Sequence, residues 1–326
     1  MRLKTRLTGK LGIAHPILLA PMNVMSGGRL AAAVTAAGGL GIIGGGYGNA
    51  AWLEDQFKAA GNARVGCGFI TWSMAREPKL LEQVLARKPA TVMLSFGELE
   101  PHASRIKAAG VPLICQVQGM KYLREAVDAG ADIIVAEGCE AGGHSGYRGV
   151  FTLVPEAADY LAKHAPGTPL VAAGGVGDGR GLAAALMLGA DGVLVGTRFV
   201  ASEESESPDG LRRAILRADG DATLKSRSVD VVRRRYWPNP EFVIRVMKNG
   251  FVSRWHGREQ ALEQSIAVEE ERYRRAFQAG DAENSAVLMG EVSGIIEDAP
   301  PAAVIVERMV AEACRLLGPG SPHVVD

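Results

Sequence analysis

A glycine-rich stretch near the middle of the chain carries residues whose types and spacing suit proton transfer. Residues 132–146 read DIIVAEGCEAGGHSG, and they place the carboxylates of Glu137 and Glu140 shortly before His144. An imidazole titrates near neutral pH and can act as a general acid or base. The flanking glycines permit positive φ angles and let a ligand approach the backbone. We therefore take His144 as the candidate catalytic residue; the alternative is a structural loop whose histidine caps backbone groups or faces solvent.

Two further glycine-rich segments suit the binding of a phosphate group. Residues 172–179 read AAGGVGDG and residues 195–199 read VGTRF, and each segment begins at the end of an apolar run. Backbone amides of Gly174, Gly175 and Gly196 could approach a phosphate, and Thr197 could donate its hydroxyl. Tight backbone packing is the alternative. A phosphate site alone does not distinguish a phosphorylated substrate from a cofactor such as FMN.

Eight apolar runs alternate with helical patterns and would position these loops. The predicted strands cover residues 16–21, 40–44, 65–71, 91–96, 112–117, 133–136, 169–173 and 192–196, and the predicted helices between them include 30–37, 79–86, 103–109, 121–129 and 181–188. Nearly continuous apolar strands indicate a parallel sheet that is covered on both faces. Eight such units favour an α/β fold of the (β/α)8 TIM-barrel type over an open sheet, and they place chemistry at the carboxyl ends of the strands.

The composition changes after residue 202. We expect residues 1–202 and 281–326 to form the barrel, and residues 203–280 to form a mainly helical insert or lid beside its mouth. The charge runs RRR at 233–235 and EEER at 269–272 are interpreted as solvated helix surface, and YWPNP at 236–240 predicts a turn between helices. Residues 285–317 are small and apolar again, which predicts final helices packed on the barrel.

The overall composition excludes several classes of function. The 326 residues include 36 Lys plus Arg and 36 Asp plus Glu, so no basic field indicates a nucleic-acid or membrane partner. Four cysteines form no CxxC pair, which favours a reducing, cytoplasmic environment. The N-terminal residues lack the apolar core of a signal peptide, and no apolar run is long enough to cross a bilayer. We expect no metal site.

Together these stretches resemble the nitronate monooxygenase (2-nitropropane dioxygenase) family of FMN-bound (β/α)8 enzymes. The matching segments, from residue 15 to about residue 311, are HPI at 15–17, APM at 20–22, GGLG at 38–41, EGCEAGGH at 137–144, AGG at 173–175, DG at 178–179 and GTRF at 196–199. The GGH and GTRF elements also occur in FMN-dependent enoyl-acyl-carrier-protein reductases, and GLGIIGGG at 39–46 is similar to that branch. A third relative reduces quinones with NADH.

The resemblance implies FMN as the cofactor, with His144 facing the substrate. Relatives usually have Asn where Gly68 stands, and some monooxygenases have Lys where Gln116 stands. Glu137 replaces the Asp of some relatives. The implied cofactor-binding residues are Ala20, Pro21 and Met22 along the isoalloxazine ring, Gly68, Gln116, Glu137, Gly142 and Gly143 near the flavin, and Gly174, Gly175, Gly196 and Thr197 at the phosphate.

The resemblance also implies a reaction: oxidation of alkyl nitronates with O2 to a carbonyl compound and nitrite. The expected partners are therefore a small nitronate or nitroalkane and O2. A homodimer is compatible with the sequence. The alternative within the fold is an NAD(P)H-dependent FMN reductase of enoyl thioesters or quinones. Outside that chemistry, a non-redox phosphate-binding barrel and a flavin-binding protein without turnover remain open at this point.

Overall fold

The computed structural model describes residues 2–74, 76–77 and 79–325; residues 1, 75, 78 and 326, which the predicted barrel domain includes, lie outside it. The strands, in chain order, are β1 (Arg2–Leu3), β2 (Ile17–Leu19), β3 (Ile42–Gly46), β4 (Gly66–Ile70), β5 (Val92–Ser95), β6 (Leu113–Val117), β7 (Ile133–Glu137), β8 (Gly143–Ser145), β9 (Leu170–Ala173), β10 (Gly192–Val195), β11 (Thr223–Lys225), β12 (Val243–Met247) and β13 (Val324–Val325).

The α-helices alternate with most of these strands. In chain order they are α1 (Arg6–Leu11), α2 (Gly28–Ala36), α3 (Ala50–Ala60), α4 (Thr71–Met74), α5 (Leu80–Ala86), α6 (His102–Ala108), α7 (Met120–Asp128), α8 (Val150–His164), α9 (Gly179–Met187), α10 (Thr197–Val200), α11 (Asp209–Arg217), α12 (Ser228–Val232), α13 (Gly250–Trp255), α14 (Glu259–Gln264), α15 (Ile266–Ala279) and α16 (Ala302–Leu317). Short 3-10 helices cover Asn23–Met25, Gly220–Ala222 and Glu291–Ile295.

Eight strands form a parallel barrel, which confirms the predicted (β/α)8 fold. Their order is β2-β10-β9-β7-β6-β5-β4-β3, and a parallel bridge between Leu18 and Leu40 joins the two ends. Each of the eight predicted strands coincides with one of these. Alternate residues of β7 face opposite sides: Ile133 and Val135 join the cluster that fills the barrel, whereas Ile134 packs under the surrounding helices. Apolar residues occupy both faces because helices cover the outside.

The parallel register brings the chemistry-bearing loops together. Glu137, the last residue of β7, pairs with Ala173, the last residue of β9, so the loops that follow these strands are neighbours. Val195 at the end of β10 pairs with Leu19 at the end of β2, so Gly196 emerges beside the segment that follows β2. The carboxyl end of the barrel therefore gathers all of these loops at one rim.

The segment 203–280 is less purely helical than its charge pattern predicts. It contains α11 to α15, but β11 and β12 also pair antiparallel with β8 in a three-stranded sheet. In this sheet Ile244 lies opposite His144. The residues of β12, VIRVM, are mostly β-branched or apolar and suit a strand that packs over the segment's own hydrophobic cluster. The strand pairing connects the insert directly to the histidine loop.

The last helix closes the fold, as the small and apolar composition of residues 285–317 predicts. Helix α16 packs against α9 and α2, and β1 pairs with β13 so that the two ends of the described chain lie together. Within the described part of the chain, no helix is both long and apolar enough to cross a bilayer.

Candidate functional site

A cavity of about 710 Å³ lies over the carboxyl ends of the barrel strands and reaches the insert. This volume falls within the range of about 300–1,000 Å³ that is usual for small-molecule sites. Every residue predicted for the site lines this cavity: Ala20, Pro21, Met22, Gly68, Gln116, Glu137, Gly142, Gly143, His144, Gly174, Gly175, Gly196 and Thr197. The fold thus brings together residues from seven separate segments of the sequence, while their individual roles stay predictions.

The predicted phosphate loops offer open backbone at Gly175 and an available hydroxyl at Thr197. Gly174 and Gly175 have φ angles of +97° and +71°, which glycine adopts without strain. A Cβ at Gly175 would meet only the side chain of Glu140, at 3.7 Å, so the space beside this backbone is open. The hydroxyl of Thr197 accepts the N–H of Gly290 at 3.0 Å, which leaves its own proton free to be donated.

The remaining glycines have different reasons to lack a side chain. A Cβ at Gly68 would lie 2.4 Å from Cγ of Pro21, so the proline ring fills the space that a larger residue would need. A Cβ at Gly142 would lie 2.5 Å from the carbonyl carbon of Met289, which means that neighbouring backbone, and not a ligand, requires this glycine. Gly143 has φ +79° and no atom within 4 Å of its would-be Cβ, so it borders open cavity.

Glu137 is a buried carboxyl group at the end of β7. Its Oε2 accepts hydrogen bonds from Nε2 of Gln116 and Nε2 of Gln118, both at 2.9 Å. Burial raises the pKa of Glu137 to about 8, although the bonds from the two glutamines and the charge of Lys225 act in the opposite direction. Glu137 is therefore mostly protonated at neutral pH, and Gln116 is oriented by it.

His144 is held from two sides. Its Nε2 lies 2.8 Å from Oδ2 of Asp230 on α12, and its ring stacks on Trp237 with centroids 3.6 Å apart and planes 19° apart. Burial lowers the pKa of His144, and the Asp230 carboxylate partly offsets that effect by favouring the protonated form. The lowered pKa favours the neutral imidazole. Its proton is assigned to Nε2 from the carboxylate partner, and Nδ1 has no hydrogen-bond partner among the described residues.

Several residues of this site come from segments that the sequence analysis interpreted as a turn or as solvated helix surface. Trp237 belongs to the predicted turn 236–240, yet it stacks on His144 and its Nε1 donates to the hydroxyl of Tyr47. Arg233 and Arg235 line the cavity, so the interpretation of the run 233–235 as solvated helix surface is wrong for both. Helix α12 ends at Val232, and the chain turns at residues 233–234 and then lines the cavity with Arg235 and Trp237. The alternation R-x-R-x-W is the sequence signal that could have indicated this.

The acidic run 269–272 is also only partly at the surface. Glu269 is 5% exposed and accepts a hydrogen bond from Nε1 of Trp255 and another from Arg272. Glu270 lines the cavity and pairs with Arg234. The interpretation as solvated surface is therefore wrong for Glu269, because α15 turns this residue toward the core of the insert.

Comparisons with known proteins agree with this architecture. A family model described as nitronate monooxygenase matches residues 4–64 and 70–312. A Mycobacterium tuberculosis protein named (3aS,4S,5R,7aS)-5-hydroxy-7a-methyl-1-oxo-octahydro-1H-indene-4-carboxyl-CoA dehydrogenase is 29% identical over 99% of this chain and 100% of its own length. Nitronate monooxygenase npaC of Metarhizium robertsii is 34% identical over 92% and 91% of the two chains. The structure of FabK from Thermotoga maritima aligns with a TM-score of 0.84 and 30% identity over 97% of both chains.

Proposed function

The chain belongs to the nitronate monooxygenase family of oxidoreductases, and from this premise we propose that it is an FMN-dependent nitronate monooxygenase. In the proposed reaction an alkyl nitronate is oxidised with O2 to a carbonyl compound and nitrite. The observation that carries the proposal is the position of His144. A neutral imidazole, backed by the buried carboxylate of Asp230, lines the cavity at the end of the barrel where this fold places chemistry.

The residues around the cavity fit FMN. Gly143 and Gly175 both have positive φ angles and open space where a Cβ would stand, so a ligand could lie against their backbone. The phosphate would be held by the loop at Gly174 and Gly175 together with Gly196 and Thr197. The ring would lie along Ala20, Pro21 and Met22. When bound, FMN supplies the electron transfer, and the protein supplies position and electrostatics.

The residues of the chain itself would act on the substrate's proton and orientation. With Nε2 donating to Asp230, Nδ1 of His144 is free to accept a proton from the carbon of a neutral nitroalkane. The carboxylate of Asp230 would stabilise the imidazolium that forms, and stacking on Trp237 would keep the ring in place. A preformed nitronate needs no such deprotonation, so for that substrate the histidine would serve in orientation.

The first experiment is an absorption spectrum of the purified protein, followed by chromatography of any flavin released on denaturation. We then expect nitrite to form when a small alkyl nitronate is added in air, and no nitrite from boiled protein. Colourless protein that releases no flavin would contradict the cofactor assignment. Flavin-loaded protein that forms no nitrite from several nitronates would contradict the proposed reaction.

A reductase is the second candidate, and the cavity gives it a specific argument. The guanidinium groups of Arg233 and Arg235 lie along the cavity, where they suit a larger anionic ligand than a small nitronate. The likeness to FabK and to a CoA-thioester dehydrogenase points the same way. Rapid anaerobic bleaching of the flavin by NADH or NADPH would favour a reductase of enoyl thioesters or quinones, and slow or absent bleaching would favour the oxygenase.

A further inference from the structure

Phe96 has a backbone conformation that aromatic residues rarely adopt. Among the described residues, four that are not glycine have a positive φ angle, and Phe96, at φ +61°, is the only aromatic one. A bulky side chain in this left-handed region carries steric strain. Strain of this kind persists only where the surrounding structure imposes it, and it is found most often at active sites and ligand clamps. Phe96 lines the cavity, so its strain falls at the site itself.

The chain is fixed on both sides of this residue. Ser95, the last residue of β5, pairs with both neighbouring strands of the barrel. The carbonyl oxygen of Phe96 accepts the N–H of Trp72 at 3.3 Å. A Cβ at Gly97 would lie 2.7 Å from the backbone nitrogen of Trp72, so the chain passes close to the start of α4. The barrel wall and this close approach together impose the left-handed turn at Phe96.

The ring of Phe96 contacts both members of the stacked pair formed by His144 and Trp237. Its centroid lies 5.0 Å from that of Trp237 and 6.4 Å from that of the imidazole, with the planes inclined at 78° and 68°. These are edge-to-face arrangements. No other aromatic side chain of the described residues contacts both members of the pair. Phe242, which is 4% exposed, packs on the same ring with centroids 5.1 Å apart.

The other contacts of the imidazole leave one movement free. The hydrogen bond to Asp230 holds Nε2, and stacking on Trp237 covers one face of the ring. A slide of the imidazole across the indole keeps the stacking and, with a small movement of the carboxylate, keeps the hydrogen bond as well. A ring that contacts both members of the pair stands beside the stack, where it blocks that slide.

We propose that Phe96 is a positioning residue that keeps the imidazole of His144 in place on Trp237, with Nδ1 directed at the substrate. This inference rests on the proposed function, in which Nδ1 removes a proton from the substrate carbon. A displacement of about 1 Å in a catalytic group can cost about 10²-fold in rate, so a ring that prevents it has a measurable effect. The side chain and the backbone of Phe96 then have separate effects: the ring supports turnover, and the strained φ angle lowers stability.

Two variants of the flavin-loaded enzyme separate these effects. Phe96→Gly and Phe96→Ala both remove the ring, but only alanine keeps a Cβ at φ +61°. In both variants kcat for a neutral nitroalkane should fall about tenfold or more, because the base is displaced. The urea midpoint of Phe96→Gly should lie above that of Phe96→Ala, because glycine adopts this φ angle without strain. Flavin content and circular dichroism are measured first, to show that each variant is folded and loaded.

Lys88 provides the matched control. It has φ +50°, is exposed, and lies outside the cavity in the loop that follows α5. Lys88→Gly should likewise have a higher urea midpoint than Lys88→Ala, but both variants should keep the kcat of the wild type. An equal loss of kcat in the Lys88 and Phe96 variants would attribute the loss to the change of backbone and would overturn the role of the ring.

Nuclear magnetic resonance measures the position of the imidazole without turnover. The protein has six histidines, and the Cε1–H signal of His144 is the one that disappears in His144→Asn. The nuclear Overhauser effect between this proton and the ring protons of Trp237 depends on the distance between the stacked rings. It should weaken in both Phe96 variants and keep its wild-type intensity in both Lys88 variants.

The two measurements have clear contrary outcomes. A nuclear Overhauser effect of wild-type intensity in both Phe96 variants would overturn the proposal, and so would a wild-type kcat with flavin retained. A wild-type enzyme that forms no nitrite would contradict the proposed function alone, because the position of the imidazole is measured without substrate.

A third variant covers the case in which neither small variant folds. Phe96→Leu keeps apolar bulk at this position but lacks the aromatic edge. It should show a weakened nuclear Overhauser effect and a fall in kcat of about threefold or more. A wild-type value of either quantity in this variant would overturn the proposal as well.

Discussion

His144 and Asp230 are 86 residues apart in the sequence, but Nε2 of the imidazole lies 2.8 Å from Oδ2 of the carboxylate. The segment that follows barrel strand β7 supplies the histidine on β8, and the insert supplies the aspartate on α12. Both side chains are buried, and Oδ1 of Asp230 has no hydrogen-bond partner among the described residues. The hydrogen bond of this carboxylate to the imidazole thus adds to the pairing of β12 with β8, which also joins the insert to the histidine loop.

The Asp230→Asn variant should change the pH dependence of turnover. The carboxylate raises the pKa of His144 against the lowering effect of burial, so its removal should shift that pKa further down. The acidic limb of the kcat/KM profile for a neutral nitroalkane should move to lower pH. The maximum value of kcat/KM should fall by about tenfold or more. This loss is a part of the rate enhancement of about 10²–10⁴-fold that a general base supplies. Asp209→Asn, on the exposed surface of α11, is the control. An acidic limb that stays in place would refute the pairing as a determinant of catalysis.

The His144→Asn variant should separate proton transfer from substrate orientation. If Nδ1 is the base, turnover of a neutral nitroalkane should fall by about 10²–10⁴, whereas turnover of the preformed nitronate should fall less. Flavin should be retained, because the predicted phosphate loops follow β9 and β10. His164→Asn, at the end of α8 and outside the cavity, is the control. Wild-type rates on both substrate forms, with flavin retained, would remove His144 from the mechanism.

The Glu137→Gln variant should remove a pH dependence of stability. The pKa of this carboxyl is raised from 4.5 to about 8 in the folded protein, so the folded state binds the proton more tightly than the unfolded state. The tighter proton binding contributes to the free energy of unfolding, with a magnitude on the order of a few kcal/mol. This contribution is fully present below about pH 4.5 and is lost as the pH rises through about 8.

Urea unfolding of the flavin-loaded wild type and variant, between pH 5 and pH 9, measures this difference. The wild type should lose more stability than the variant toward the alkaline end, since glutamine keeps an acceptor for the bonds from Gln116 and Gln118 but cannot ionise. Parallel curves for the two proteins would show that Glu137 ionises as an ordinary solvent-exposed carboxylate does.

The Gly175→Asp variant should purify without its cofactor. The new carboxylate would repel a phosphate, and at φ +71° any Cβ adds strain of about 1–2 kcal/mol. Gly110→Asp is a matched control, because Gly110 has φ +68°, open space around its would-be Cβ and a position at the end of α6. The control should share the strain but keep its flavin. Full flavin content in Gly175→Asp would contradict the phosphate assignment.

The sequence by itself determined the barrel and the loops that carry the predicted chemistry. The apolar runs and the glycines that end them are local properties, and each run coincides with a strand such as β7 or β9. Because parallel strands end at the same rim, the order of elements already implied that His144, Gly175 and Thr197 would meet at one cavity. All of the predicted site residues do line that cavity.

Only the tertiary structure decided what surrounds His144. Asp230, Trp237 and the two arginines lie in a charged, irregular segment whose local pattern resembles that of a solvated surface. Their positions depend on the antiparallel pairing of β12 with β8, which places Ile244 opposite His144 and carries α12 and the following chain to the cavity. Hydrophobic periodicity reports which face of an element is buried. Which carboxylate reaches an imidazole depends on contacts between segments about a hundred residues apart, and no local pattern contains that information.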